Sequence, residues 1–200
     1  MTWIRRNWLW LIVLPLCVAA ALFAASHRLL EIYWPSQPTK PIAVDSGTVH
    51  YQSELVNAGT TYERNIDVTF NGSSSVDSHE GVIAVEGARL WAFDFTMEAA
   101  SDVIADGCTI VALDADGRQY FPRAATAQDP SYTELPAPPC VPADAQGPTI
   151  DYFTGEVTDS LSPRPSQWDT RLVIAMPEGV EPSAVRIYWD LPHYAEFAIR

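Results

Sequence analysis

Lysine is almost missing from this chain of 200 residues, in which Lys40 is the only one. Beyond it, residues 41–200 hold eight arginines against 24 acidic residues, a formal net charge of −16 compared with −13 for the whole chain. A globule this acidic is repelled by phosphate backbones, so we expect no nucleic-acid partner. Because 48% of the residues are hydrophobic and 18% charged, a disordered polymer is not expected either.

Short motifs of common enzymes and metal proteins are also missing. The sequence has no G-x-S-x-G elbow and no C-x-x-C pair. His50, His79 and His193 stand far apart and without the spacing of metal ligands. We therefore expect no catalytic residue, no cofactor, no metal and no small-molecule ligand. A serine–histidine–aspartate triad assembled from distant residues stays open as an alternative.

Four aspartates keep a second alternative open. Asp114, Asp116 and Gly117 resemble the start of a calcium loop, but the later ligands and the terminal glutamate are missing. Asp-Gly between two short apolar runs instead predicts a β-hairpin turn. With Asp102 and Asp106 nearby in sequence, these acids leave an acidic, cation-responsive sensor domain as an alternative function.

The N-terminus carries one long uncharged run, Trp8 to Ala25. A membrane core needs roughly 20 apolar helical residues, so we predict a transmembrane helix over residues 8–28. Such a run exceeds the roughly 7–15 residues of a signal-peptide core, which favours a retained anchor over a cleaved signal peptide. Aromatic rings favour both membrane surfaces, and those expected at the two ends are Trp3, Trp8, Trp10, Tyr33 and Trp34.

Two observations predict the orientation of this anchor. Arg5 and Arg6 precede it, and by the positive-inside rule residues 1–7 then lie in the cytoplasm. Cys108 and Cys140 are the only cysteines after the anchor, and such a pair commonly bonds outside the cytoplasm. Closing a loop of about 30 residues would stabilise the domain by roughly 3–4 kcal/mol. We therefore expect a single-pass protein of the cell membrane with an extracytoplasmic C-terminal domain.

Strand signals dominate the remaining chain. Residues 29–46 contain several prolines and no periodicity, which is typical of a spacer. The domain expected over residues 47–200 begins with alternating apolar and polar residues and has no amphipathic helix. The stretches that predict strands are 49–55, 66–70, 89–98, 110–113, 118–121, 152–158, 171–176 and 185–191.

Turn signals separate these strands. Asn71-Gly72 predicts a turn with Ser73–Ser75 as its flexible tip, and Asp116-Gly117 predicts a hairpin. Residues 122–149 are rich in proline, alanine and aspartate and are interpreted as a long ordered loop. The expected fold is mainly β, an immunoglobulin-like β-sandwich preceded by one N-terminal transmembrane helix.

Three stretches within residues 85–192 carry a resemblance: LWAFDFTMEA, DADGRQYFP and RLVIAMPEGVEPSAVRIYWD. In this order they resemble a class of bacterial proteins with one N-terminal membrane segment and an immunoglobulin-like outer domain, as in the telomeric-repeat-binding-factor-like extracellular families. CTIVALDADGRQY and PPCVPADAQGP are similar to stretches of small bacterial membrane proteins without an assigned function. The resemblance implies the fold and no catalytic residues.

The composition, the anchor and the missing motifs together favour one function. We expect a membrane-anchored extracytoplasmic binding or accessory protein that touches another envelope protein or polymer through a face of the sandwich or a loop. The alternatives are an envelope hydrolase with dispersed catalytic residues and the cation-responsive sensor.

Overall fold

The computed structural model describes residues 2–57, 59–79, 82–122, 140–151, 154–158 and 162–199. The chain is mainly β and begins with one apolar helix, α1 (Thr2–His27), which continues as a π-helical segment, Arg28–Tyr33. The strands are β1 (Lys40–Ile42), β2 (Thr48–Asn57), β3 (Thr60–Val76), β4 (Ser78–His79), β5 (Val82–Ile83), β6 (Ala88–Glu98), β7 (Thr109–Leu113), β8 (Gln119–Tyr120), β9 (Thr149–Ile150), β10 (Val157–Thr158), β11 (Gln167–Pro177), β12 (Ala184–Tyr188) and β13 (His193–Ala198).

The N-terminal helix is long and apolar enough to cross a membrane. Within Arg6–Tyr33, its most apolar window of 18 residues has a mean hydropathy of 2.4, and 0% of that window is buried against the rest of the protein. A helix buried in a protein core would be covered, so this one is not a core helix, although a signal sequence satisfies the same criteria of length and composition. The aromatic residues at its two ends are exposed: Trp3, Trp8, Trp10, Tyr33 and Trp34.

Two larger sheets build the domain. Among the described strands, one sheet has the order β1-β13-β12-β7-β8 and the other the order β11-β6-β3-β2. Neighbouring strands are antiparallel except β1, which runs parallel to β13. β4 with β5, and β9 with β10, form two short separate pairs.

Side chains of both sheets meet in one hydrophobic cluster. In residues 89–98 the sequence predicts that Trp91, Phe93, Phe95 and Met97 share one face of a strand. Phe93, Phe95 and Met97 are fully buried in the cluster and Trp91 packs against it partly exposed, which confirms that face. The ring centroids of Phe95 and Phe197 of β13 lie 6.0 Å apart across the two sheets. Burying each such ring stabilises the fold by roughly 1.5–3 kcal/mol, so this shared core holds the sheets together.

The predicted turn at Asn71-Gly72 is wrong. Both residues lie inside β3, and the register with β6 shifts between Phe70 and Gly72, which marks a β-bulge. Gly72 has a φ of 141°, a conformation that glycine adopts without steric cost. Ser73–Ser75 pair with Phe93, Ala92 and Trp91 of β6 and are not a flexible tip. A bulge and a hairpin both favour glycine, so the dipeptide alone did not separate them.

The predicted hairpin at Asp116-Gly117 is confirmed, since it joins the antiparallel strands β7 and β8. Five of the described strands lie outside the stretches that predict strands: β1, the short strands β4, β5 and β9, and β13. β1 lies within the range interpreted as a spacer, and β13 follows the last predicted strand. Of the predicted loop over 122–149, residues 123–139 lie outside the described residues, as do residues 152 and 153 of the predicted strand 152–158.

The predicted disulfide between Cys108 and Cys140 is present, with a Cα–Cα distance of 5.9 Å. Both cysteines are fully buried in the shared core. Trp168 of β11 donates from Nε1 to the carbonyl oxygen of Cys140 at 2.7 Å. The bond therefore ties the start of β7 to a segment that packs against the other sheet.

Candidate functional site

The β2–β3 hairpin extends beyond the four-stranded sheet. β6 pairs with β3 only from Asp67 onward, whereas β2 stays paired as far as Asn57 and Thr60. We call residues 52–57 and their partners 60–65 the arm. Within the described part of the chain, no strand or backbone hydrogen bond occupies the second edge of residues 60–65. The arm therefore presents a free strand edge.

A buried ion pair holds the base of the arm. Arg64 is 3% exposed, and its Nη1 donates to Asp190 Oδ2 at 2.5 Å. Arg64 Nε donates to the carbonyl oxygen of Ile104 at 2.8 Å, and Ser53 Oγ donates to Asp190 Oδ2 at 2.7 Å. Because an unpaired charge is strongly unfavourable at a buried position, these two partners fix the arginine and with it the hairpin, while Ser53 holds the carboxylate of Asp190.

The loop between β6 and β7 forms a wall opposite the free edge. Arg164, 2% exposed, donates to the carbonyl oxygens of Ala100 at 2.6 Å and Val103 at 2.9 Å. Trp189 Nε1 donates to the carbonyl oxygen of Ala105 at 2.9 Å. Arg64, which donates to Ile104, is the third side chain that binds a carbonyl oxygen of this loop. The three side chains come from separate parts of the chain and together hold the loop backbone, so the wall is ordered.

An open cleft of about 380 Å³ lies between the arm and this wall. A second cleft of about 370 Å³ adjoins it, and both are lined by Glu63 and Asn65. Glu54 lines the second cleft and Asp102 the first, which gives the site three exposed carboxylates. Among the described basic groups, none forms an ion pair with any of the three.

Glu54 and Glu63 are direct cross-strand partners in the arm. Side chains in that relation have Cβ atoms about 5 Å apart, and like charges there are destabilising. Most sheets place opposite charges or uncharged residues at such positions because that arrangement is more stable. The arm therefore carries a repulsion that an approaching cation would relieve.

Burial changes the ionisation of groups behind the cleft. Desolvation raises the pKa of Asp106, and the charges of Arg64 and Arg164 oppose that shift. Desolvation likewise lowers the pKa of Arg164. Tyr51, whose hydroxyl accepts the Asp190 N–H at 3.0 Å, has its pKa raised by desolvation. These groups are enclosed or already bonded, so the exposed carboxylates are the charges that a ligand would meet.

The described residues near the arm do not bring a nucleophile to a base. Ser53 donates to the Asp190 carboxylate. His50 forms a hydrogen bond with Asp67 through Nδ1, and its Nε2 lies 2.9 Å from Gln52 Nε2. The imidazole thus faces an amide where a hydrolase triad would need a hydroxyl.

The aspartates of the resembled calcium loop have another role. Asp114 Oδ1 accepts the N–H groups of Asp116 and Arg118, each at 2.9 Å, and Oδ2 accepts the Tyr120 hydroxyl at 2.9 Å. Desolvation acts to raise the pKa of Asp114, but these hydrogen bonds together lower it. The carboxylate therefore stabilises the hairpin turn. In the described ranges, no group of three histidine, cysteine or acidic residues is arranged to hold a metal ion.

Of the residues that line this site, sequence reasoning named only Asp102 as a candidate, among four aspartates. Its other candidates were chiefly the cysteines and the anchor residues, and the structure places Arg5 and Arg6 within α1. One signal was available: Arg64 stands in phase with Ile66 and Val68, which alternate as inward-facing positions of β3. A charged residue at such a position indicates a buried partner elsewhere in the fold.

Comparison of the chain with protein-family models, with curated proteins and with solved structures found no match.

Proposed function

We propose that this protein is a membrane-anchored extracytoplasmic binding or accessory protein whose partner is another protein of the envelope. In this proposal the two sheets form an immunoglobulin-like β-sandwich. The observation that carries it is the free edge of the arm at residues 60–65. Folded proteins usually cover or blunt such edges because an open one pairs with other chains. A free strand edge that the rest of the domain holds in place can bind a partner by pairing with one of its strands.

The support of the arm favours this role over a loosely attached hairpin. Arg64 contacts Asp190 beyond β12 and Ile104 in the wall loop, so the arm is connected to both sheets and to the opposite side of the cleft. A site held in its bound conformation loses less conformational entropy when a partner docks. The buried ion pair therefore supports binding by limiting the ordering that association requires.

The proposed location rests on the anchor and the disulfide. The candidate membrane span is Arg6–Tyr33, and Arg5 and Arg6 at its N-terminal end favour a cytoplasmic N-terminus. The Cys108–Cys140 bond is of a kind that persists outside the cytoplasm. Protease added to the outer face of the membrane should digest the domain. In the double variant Arg5→Glu/Arg6→Glu, part of the protein should insert in the opposite orientation, and the domain of that part should be protected from the protease. Complete protection of the wild-type domain would contradict the orientation.

Site-specific photo-crosslinking in native membranes tests the binding role. A photo-reactive phenylalanine analogue replaces Val56, which is 66% exposed in the arm. The matched control carries the same analogue at Glu181, an exposed residue in the turn before β12, at the far end of the four-stranded sheet. We expect one discrete adduct from position 56, identified by mass spectrometry, and none from position 181. Adducts equal at both positions, or none at position 56, would contradict the proposal.

A further inference from the structure

We infer that the ligand of the arm is an extended, basic protein segment that adds to residues 60–65 as an extra β-strand. This inference rests on the proposed binding function and adds the chemical class of the partner. Three observations on the described residues carry it: the free strand edge, the cleft beside it, and the carboxylates without ion-pair partners that line the cleft.

The length of the free edge fits a short segment. Residues 60–65 are six residues long, and a strand rises about 3.3 Å per residue, so the edge extends about 20 Å. The wall loop lies across the cleft from this edge, with Asp102, Val103 and Ile104 lining that side. A strand laid in the cleft would therefore exchange main-chain hydrogen bonds with the arm on one side and contact the wall on the other.

The charge of the site selects a basic segment. Side chains of an added strand alternate between two faces, so every second residue would lie on the face of the arm that carries Glu54 and Glu63. A lysine or arginine there would meet two carboxylates at once. A second copy of this chain fits poorly as the occupant, because the formal charge of −16 over residues 41–200 makes two domains repel each other.

The opposed glutamates give this inference a distinguishing property. The Glu54–Glu63 repulsion destabilises the free domain, and a cation from the partner would remove that repulsion in the complex. Neutralising one glutamate should thus make the free protein more stable and the complex weaker. A purely structural role for Glu63 would not move stability and affinity in opposite directions.

Three ten-residue peptides serve as probes against the full chain in neutral-detergent micelles. The first alternates threonine and lysine, the second alternates threonine and glutamate, and the third keeps the lysines but has proline at every other position. Proline cannot donate to a strand ladder, so the third peptide matches the charge of the first without its ability to pair. Hydrogen exchange of residues 60–65 reports pairing, and titration gives the dissociation constant.

We expect the threonine–lysine peptide alone to slow exchange at residues 60–65. Glu63→Gln should weaken its binding by about two- to fivefold, the range for one exposed ion pair. The same variant should raise the unfolding midpoint by about 1–3 °C. Glu181→Gln removes an equal charge at the far end of the sheet and should change neither quantity. Equal protection by the proline peptide, or unchanged affinity in Glu63→Gln, would overturn the inference.

The crosslinking experiment separates failure of this inference from failure of the proposed function. A partner captured from position 56 through a segment without lysine or arginine would overturn the basic-segment inference and leave the binding role standing. The absence of any adduct at position 56 would overturn both.

Discussion

Arg64 and Asp190 form an ion pair that joins the two sheets of the domain, with Nη1 and Oδ2 2.5 Å apart. The arginine side chain is 3% exposed and the carboxylate 32% exposed. Arg64 belongs to β3, and Asp190 follows β12 of the other sheet. Because the arginine has no access to water, its charge depends on this partner for stabilisation.

Asp190→Asn should lower the free energy of unfolding by about 2 kcal/mol, somewhat less than the 3–5 kcal/mol typical for a fully buried pair, since Asp190 is partly exposed. The reason is the arginine charge left without a carboxylate. The double variant Arg64→Met/Asp190→Asn removes that charge and should recover at least half of the loss. Urea titrations followed by tryptophan fluorescence measure both.

Arg171→Met provides the matched control for this pair. Arg171 binds Asp94 through two hydrogen bonds of 2.6 Å and 3.0 Å, but the arginine side chain is 49% exposed. An exposed pair contributes about 1 kcal/mol or less, so this variant should change stability little. If Asp190→Asn were no more destabilising than Arg171→Met, the structural importance of the buried pair would be wrong.

Removal of the disulfide should destabilise the domain. Cys108 and Cys140 are separated by 32 positions, and closing a loop of that size contributes about 3–4 kcal/mol on the chain-entropy model. The double variant Cys108→Ala/Cys140→Ala should therefore lower the free energy of unfolding by that amount and shift the urea midpoint downward in proportion. Cys17→Ala changes a free cysteine of α1 and should leave the midpoint unchanged. Equal midpoints for the two variants would contradict the expectation.

Asp114 should make the domain sensitive to acid. Its hydrogen bonds lower its pKa in the folded state below the unfolded value of about 3.9. Its contribution to stability is therefore present above that unfolded value and is lost as the pH falls through the folded pKa. Asp114→Asn should be less stable than the wild type at about pH 6, and the difference should shrink towards about pH 2. A difference that stays constant with pH would count against this role.

The contribution of Asp106 to stability should change with pH in the opposite direction to that of Asp114. Desolvation raises the pKa of Asp106 in the folded state, so its contribution is complete below the unfolded value of about 3.9 and is lost as the pH rises through the folded pKa. Its Oδ1 atom is buried without a hydrogen-bond partner. Asp106→Asn should therefore stabilise the domain at about pH 7, with the gain disappearing near pH 3. Destabilisation at neutral pH would show that the carboxylate has a favourable partner.

Local patterns in the sequence predicted the interiors of the long strands. β6 alternates apolar and polar residues from Phe93 to Glu98, and its burial follows that alternation there, whereas the apolar run Leu90–Phe93 breaks it. The Asp116-Gly117 turn was predictable because the residues that determine it are adjacent. At Asn71-Gly72 the same local rule failed, since only the pairing of β3 with distant β6 distinguishes a bulge from a turn.

The candidate site depends on relations that no local pattern contains. The arm exists because β6 ends at Glu98 while β2 and β3 continue, which is a difference in strand length between elements far apart in sequence. Arg64 and Asp190 are 126 positions apart. Glu54 and Glu63 become neighbours only through the register of the hairpin. Arg64 stands out in the sequence only by its phase with Ile66 and Val68, and its partner, like the pairing of Glu54 with Glu63, follows from the fold.

Hydrogen exchange of residues 60–65 in native membranes tests the central claim most directly. The measurement compares this segment in membranes that contain all envelope proteins with the same segment in the purified full chain, and residues 178–182 at the far end of the sheet serve as the internal control. If a partner strand covers the free edge, exchange at residues 60–65 should be at least about tenfold slower in membranes, with no change in the control. Equal exchange rates of residues 60–65 in both preparations would contradict the claim that the arm is a binding edge.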